Sequence, residues 1–235
     1  WTNGLMFKLS QLNLPKNFLR LLCSFLKDRT LRVHVEDAKS RMIRLKVGTP
    51  QGSCLSPILF SIHVNDMPLQ EMPGCQPSQF ADDVGMWSTG KTVKEVVNSI
   101  QAALVKMESW CKKWRVKLAP SKTNVVLFTK CYRAHNDRPR MLLFNEELTY
   151  TQEATFLGVK FNSNLTWEPQ IRSMIAKAQP RLNLIKAITT ANGNENKDML
   201  LKLYKAIVRP IFDYSAIAHV NAAQCHQLKL QRIQN

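Results

Sequence analysis

The sequence predicts an α+β fold, mixed over its first two thirds and helical over the rest. Three observations lead there. Val93, Val96, Val97, Ile100, Leu104, Met107, Cys111 and Trp114 recur at helical spacing. Residues 31–35 and 42–47 alternate apolar and polar side chains with the period of a strand. Near residue 163 the short strand-like segments stop and helical patterning takes over.

Each element has its own signal. Leu9, Leu12, Phe18, Leu22 and Phe25 give residues 5–27 a helical face that Pro15 divides. The alternating segments 31–35 and 42–47, with the polar residues 36–41 between them, predict a hairpin. Residues 48–53 read as a loop and 55–64 as a buried helix, followed by a Pro- and Gly-rich loop over 68–77. Residues 79–87 then read as strand, acidic turn, strand. Thr92 and Glu95 form a capping box that opens the helix ending near Trp114, where Lys112, Lys113 and Arg115 suit the negative end of the dipole. Short strands are expected at 124–129 and 156–161, with a further pair near 141–144 and 147–150. From Glu168 on, a helix with a break or kink at Pro180 and another over about 197–208, ending before Pro210, complete the chain.

Composition narrows the function. The 235 residues are 45% hydrophobic and 21% charged, which excludes whole-chain disorder and fibrous repeats. No apolar run reaches the roughly 18 residues of a membrane span. The chain opens on Trp1 without a signal-peptide pattern, so it reads as a piece of a longer protein. Thirty-three Lys and Arg against 17 Asp and Glu give +16, a field that draws polyanions and favours nucleic acid over an anionic membrane. The excess is concentrated: residues 1–47 hold ten basic side chains against three acidic, and 168–210 hold eight against three. The six cysteines form no C-x-x-C pair, so neither a zinc site nor a disulfide framework is expected. P-loop and G-x-S-x-G patterns are missing, leaving P-loop nucleotide hydrolysis and acyl transfer without residues to perform them.

The chemistry concentrates at Asp82-Asp83. Two adjacent carboxylates between apolar strand segments repel each other, and a divalent cation such as Mg²⁺ removes that cost by taking their oxygens. A solvated acidic turn is the plain alternative for the pair alone. Upstream, Pro50-Gln51-Gly52-Ser53 opens an apolar helix, with Gly52 allowing close backbone approach and Gln51 offering both donor and acceptor. Downstream lie Ser121-Lys122-Thr123 and then Phe156-Leu157-Gly158-Val159, with Leu165-Thr166-Trp167 closing the segment.

In that order these motifs resemble the reverse transcriptase of non-LTR, LINE-type, jockey-like retrotransposons. The resemblance extends through Leu203-Tyr204, Arg209-Pro210, Tyr214 and the tail from Leu230 to Asn235. It implies a right-hand polymerase palm over residues 1–162, an antiparallel sheet with helices on one face, and an α-helical thumb with the start of a connector over 163–235. It implies RNA-directed DNA polymerisation with an RNA template, a DNA primer and dNTPs as partners, and two Mg²⁺ ions, replaceable by Mn²⁺. Asp82 falls on the direct metal ligand and Asp83 beside it. Phe80 stands where retroviral enzymes carry Tyr, and Ala81 leaves room for the primer end. Pro50, Gln51, Gly52 and Ser53 match the segment that meets the incoming nucleotide and template. Lys122 falls near a lysine that protonates the leaving pyrophosphate, and Phe156, Leu157, Gly158 and Val159 match the primer grip. By the same resemblance the protein works in the nucleus and in a cytoplasmic ribonucleoprotein. The fingers and the first catalytic aspartate would precede Trp1, so the isolated chain is expected to be inactive; a truncated relic that only binds nucleic acid is the alternative.

Overall fold

The computed structural model describes residues 1–69, 72–129, 131, 138–192, 197–216, 220 and 222–234. The polar connection expected between the strands at 124 and 141 lies largely outside the described residues, as does Asn235 of the tail. The chain divides into two compact units: Trp1–Lys122 with Pro139–Leu148, and Thr123–Arg138 with Thr149–Asn235.

In the first unit, Pro15 separates helices α1 (Thr2–Ser10) and α2 (Lys16–Leu26), as its fixed φ and missing N–H require. They meet α3 (Ser56–Val64) through Leu5, Leu9, Leu22, Leu26 and Leu59. Between α2 and α3 the chain makes a two-stranded ribbon. Strand β1 (Thr30–Leu31) pairs with β4 (Ile43–Arg44), and β2 (His34–Val35) with β3 (Ala38–Lys39). The stretch 36–41, expected to be all turn, therefore contributes a strand. Every residue from Thr30 to Lys39 is exposed.

A second hairpin joins β5 (Gln76–Phe80) to β6 (Asp83–Trp87). It begins three residues earlier than the sequence suggested, with Pro77 inside the strand, where an unpaired N–H position tolerates it. Helix α4 (Val93–Trp114) covers one face of this hairpin. Thr92 Oγ1 accepts from Glu95 N–H at 3.2 Å, and Glu95 Oε2 reaches back to Lys91 N–H at 3.1 Å. Val97, Leu104, Met107, Trp110, Cys111 and Trp114 are buried along α4. Most of them join Val64, Met72 and Cys75 in one core, with Val84 and Met86 of β6 against it. The Met and Trp stripe is core packing, as its spacing indicated. Strands β8 (Leu142–Leu143) and β9 (Glu146–Glu147) close this unit.

In the second unit β7 (Asn124–Val125) pairs in parallel with β10 (Thr149–Tyr150), and β11 (Glu153–Phe156) pairs with β12 (Val159–Asn162). Helix α5 (Glu168–Asn192) follows. Of the break or kink expected at Pro180, a break does not occur: the helix runs through it, because Pro180 and the carbonyl of Ala176 that loses its donor both lie on the solvent side. Helix α6 (Lys197–Leu203) continues into a π-helical segment, Tyr204–Val208, and α7 (Arg209–Tyr214). The chain thus stays helical past Pro210, which occupies the first turn of α7, where its missing N–H costs nothing. Helix α8 (Gln224–Gln234) supplies Leu230 to a core with Ile171, Met174, Ala178, Val208 and Phe212.

The α+β class stands. The single antiparallel sheet expected for residues 1–162 is not formed among the described residues. The strands pair two by two, and β7 with β10 is parallel. Many are two residues long, and turns interrupt each ladder before a third strand joins it. Among the described residues no helix is long and apolar enough to cross a membrane.

Candidate functional site

The β5–β6 hairpin places the acidic pair at its tip. Phe80 and Asp83 are the last cross-strand pair, so Ala81 and Asp82 form a two-residue turn. Ala81 takes φ +51°, the left-handed value such hairpin turns demand at their first central position. Gln79 Nε2 steadies the bend by donating to Ala81 O at 3.1 Å.

Period-two alternation then sorts the two faces. Val84 and Met86 point to the core. Phe80 and Asp83 share the opposite face with Ser78 and Gly85, whose small side chains leave it open. At the far end of that face Trp87 Nε1 donates to Gln76 Oε1 at 2.7 Å. Asp82 and Asp83 are exposed, and Phe80 presents 64% of its surface. Among the described residues neither carboxylate makes an ion pair, and no third His, Cys, Asp or Glu joins them in a metal-sized cluster.

The Pro50–Ser53 segment is an open loop built from two glycines. Gly48 and Gly52 take φ +84° and +85°, and nothing lies within 4 Å of where a Cβ would stand on either. The backbone here is therefore accessible to a ligand. The loop is tied to α3 by Ser56 Oγ donating to Pro50 O at 2.5 Å and by Ser53 Oγ accepting from Leu55 N–H at 3.2 Å. Arg29 holds its other end through Val47 O at 3.3 Å and Gly48 O. Gln51 is exposed and uses neither end of its amide in these ties.

Lys122 ends a 3-10 turn, Pro120–Lys122, whose closing bond runs from Lys122 N–H to Ala119 O at 3.1 Å. Its ammonium is exposed. Pro50, Gln51, Gly52, Ser53, Phe80, Ala81, Asp82, Asp83 and Lys122 all belong to the first compact unit.

Phe156, Leu157, Gly158 and Val159 belong to the second unit. The sequence suggested one strand through residues 156–161; the chain instead folds back in the middle of it. Leu157 at φ +48° and Gly158 at φ +75° are the two left-handed residues of a two-residue hairpin turn between β11 and β12. Tyr214, from α7, donates its hydroxyl to Leu157 O at 2.7 Å, and its ring lies 3.5 Å from where a Cβ on Gly158 would stand. Nothing in the sequence pattern could have paired Tyr214 with this turn.

Comparison with known proteins gives these hairpins a context. Residues 1–161 match the family of reverse transcriptases (RNA-dependent DNA polymerases). Among curated relatives, the RNA-directed DNA polymerase from mobile element jockey of Drosophila funebris is 29% identical, over all of this chain and 26% of its own length. The probable RNA-directed DNA polymerase from transposon BS of Drosophila melanogaster is 26% identical over the same shares. A Pol polyprotein from a type-1 retrotransposable element R1 of Nasonia vitripennis is 29% identical over 60% of the chain and 35% of its own length. The chain thus spans about a quarter of the length of the first of these relatives. With the match running from the first helix through the β11–β12 hairpin, the chain belongs to the reverse transcriptase family, on its non-LTR, LINE-type side.

Proposed function

We propose that this chain forms the palm, over residues 1–162, and the thumb with the start of a connector, over 163–235, of an RNA-directed DNA polymerase that extends a DNA primer on an RNA template. One observation carries the reading: within the family match, Asp82 and Asp83 stand together, open to solvent and without an ion pair among the described residues, at the tip of a hairpin whose other face is anchored in a core.

The donor set suits a hard divalent cation. Mg²⁺ is commonly held by one or two carboxylates and completes its shell with water and substrate phosphates. Asp82 and Asp83 supply the carboxylates, and Mn²⁺ accepts the same oxygens. When bound, a pair of such ions stabilises charge on the attacking and leaving oxygens of phosphoryl transfer.

The remaining work falls to the chain's own groups. The Gly52 backbone and the Gln51 amide receive the incoming nucleotide and the template, with Pro50 and Ser53 fixing the loop that carries them. Phe80 offers an exposed ring beside the acids, and Ala81 keeps the turn small enough for a primer end. Lys122 gives a proton to the departing pyrophosphate. Residues Phe156 to Val159 hold the primer strand at a rigid two-residue turn. The basic excess in residues 1–47 and 168–210 grips a template–primer duplex through its phosphates. The intact polymerase works in the nucleus and in a cytoplasmic ribonucleoprotein.

Primer extension by the full-length polypeptide that carries this segment tests the assignment. Asp82→Asn should lower extension by about a thousandfold or more while template–primer affinity stays within about threefold. Extension that survives the substitution would remove Asp82 from catalysis. Loss of duplex affinity with extension would make its role structural.

A further inference from the structure

The ribbon between α2 and α3 lies within the basic segment 1–47 but apart from its helices, and its two faces are chemically different. The direct pairs Thr30↔Arg44 and His34↔Lys39 lie on one face; Leu31↔Ile43 and Val35↔Ala38 lie on the other. Between the two ladders the returning strand carries one extra residue. The tip register continues through Ser40, whose N–H donates to Val33 O and whose Oγ accepts from Val33 N–H, each at 2.9 Å, so the extra residue falls at Arg41–Met42, opposite Arg32. The bulge keeps the two ladders in phase, so Arg32 stands between Thr30 and His34 on the polar face. Arg32 Nε is tied to Ser40 O at 2.9 Å, which fixes the direction of its guanidinium. Arg44 is paired with Asp28 at the base. The ribbon's own acids, Glu36 and Asp37, are confined to the tip.

The result is a narrow projection with a row of hydrogen-bonding, mostly cationic side chains along one face: Thr30, Arg32, His34, Lys39 and Arg44. Isolated two-stranded ribbons are marginal in water, and this one has neither face covered in its own unit. Charge complementarity selects a phosphate ladder as the occupant of the polar face. Dimensions select its form. Two strands about 4.8 Å apart, with their side chains, fit the roughly 12 Å major groove of B-form DNA. The deep, narrow major groove of an A-form duplex, whether RNA or an RNA-like hybrid, does not admit them.

We infer that the polar face of this ribbon is a docking site for double-stranded B-form DNA, separate from the hairpins assigned to polymerisation. The element would hold duplex DNA while the template–primer hybrid occupies the rest of the molecule.

Fluorescence anisotropy with a labelled DNA duplex of about 20 base pairs, and with an RNA–DNA hybrid of the same sequence, tests this on the chain itself between about 50 and 200 mM salt. The double variant Arg32→Gln, Lys39→Gln should weaken DNA-duplex binding at least about tenfold and lower the salt slope of log K by about 2. Hybrid binding, carried by the remaining basic side chains of residues 1–47 and 168–210, should change less than about threefold. The double variant Lys91→Gln, Lys94→Gln removes the same charge from exposed positions at the start of α4 and should leave DNA binding within about threefold. Circular dichroism and melting confirm that both variants are folded. Equal losses in the two double variants, an unchanged affinity in the ribbon variant, or an equal loss for duplex and hybrid would each overturn the proposal. The measurement requires no nucleotide transfer, so its failure leaves the polymerase reading intact, and failure of the Asp82→Asn test leaves this one intact.

Discussion

The six thiols divide by environment rather than by spacing. Cys111 lies in the α4 core at 1% exposure, where burial, and after it the charge of Glu108, pushes its pKa up to about 11. Burial pushes Cys75 upward as well. Cys54, Cys131 and Cys225 are exposed, and all six are free. Since the thiolate is the nucleophile, brief alkylation with iodoacetamide at pH 8 should modify those three first, Cys23 more slowly, and Cys75 and Cys111 only after unfolding. Peptide mass spectrometry reads the order; early labelling of Cys111 would mean that the α4 core opens readily. Two thiols are thus core residues and three lie exposed on loops and the last helix, a division that counting cysteines could not give because it says nothing about which side of an element they face. The acids at 82 and 83 were legible for the opposite reason: adjacency in sequence guarantees adjacency in space. The Tyr214 hydroxyl bond to Leu157 spans 57 residues and left no mark in the pattern.

At the scale of elements, legibility followed how local the determinants are. Helix α4 could be read to within a residue at both ends because its cap, its stripe and its terminal lysines lie inside its own sequence. The β11–β12 hairpin could not, since FLGVKF alternates well enough for one strand and only the two left-handed residues reveal the fold-back. That turn makes a sharp prediction. An added Cβ on Gly158 meets Tyr214 at an ordinary contact distance, so Gly158→Ala is penalised by backbone conformation rather than by collision. A loss of about 1 kcal/mol is expected, or about 2–4 °C in melting temperature. Hydrogen exchange should quicken at residues 153–162 and stay unchanged along α4. An unchanged melt would show that the turn relaxes to a negative φ and that its geometry is not fixed. The α6–α7 segment carries the same lesson: Pro210 announced a helix end, but the π-helical Tyr204–Val208 shifts the register so that Pro210 falls in a first turn.

For the molecule as a whole, the division into units could not be read from composition, because the chain crosses between them more than once. The β8–β9 hairpin belongs with α4: Gln101 exchanges two hydrogen bonds with the Leu142 backbone, at 2.9 and 2.8 Å, and Glu108 accepts from Phe144 N–H at 2.7 Å. Charge, in contrast, was legible at once, and it bears on stability. The first unit buries Lys8 against Asp66, with the ammonium 3.8 Å from the Trp114 ring centre. Beside it His63 is buried, its Nδ1 without a hydrogen-bond partner among the described residues. Burial first, then the charges of Lys8 and the N-terminus, hold His63 below its ordinary pKa of 6.5, with Asp66 opposing. The unfolded chain therefore binds a proton near pH 6.5 that the folded chain refuses, so stability falls as the pH drops through that value and levels off below the folded pKa. Self-repulsion in a chain already at +16 acts in the same direction as acids are neutralised at lower pH. Melting temperatures between pH 7.5 and 5.5 should decline in the parent chain, and His63→Gln should flatten that decline whatever it does to the absolute value. An equal slope in the variant would assign the acid sensitivity to the summed charge of the molecule instead of the buried imidazole.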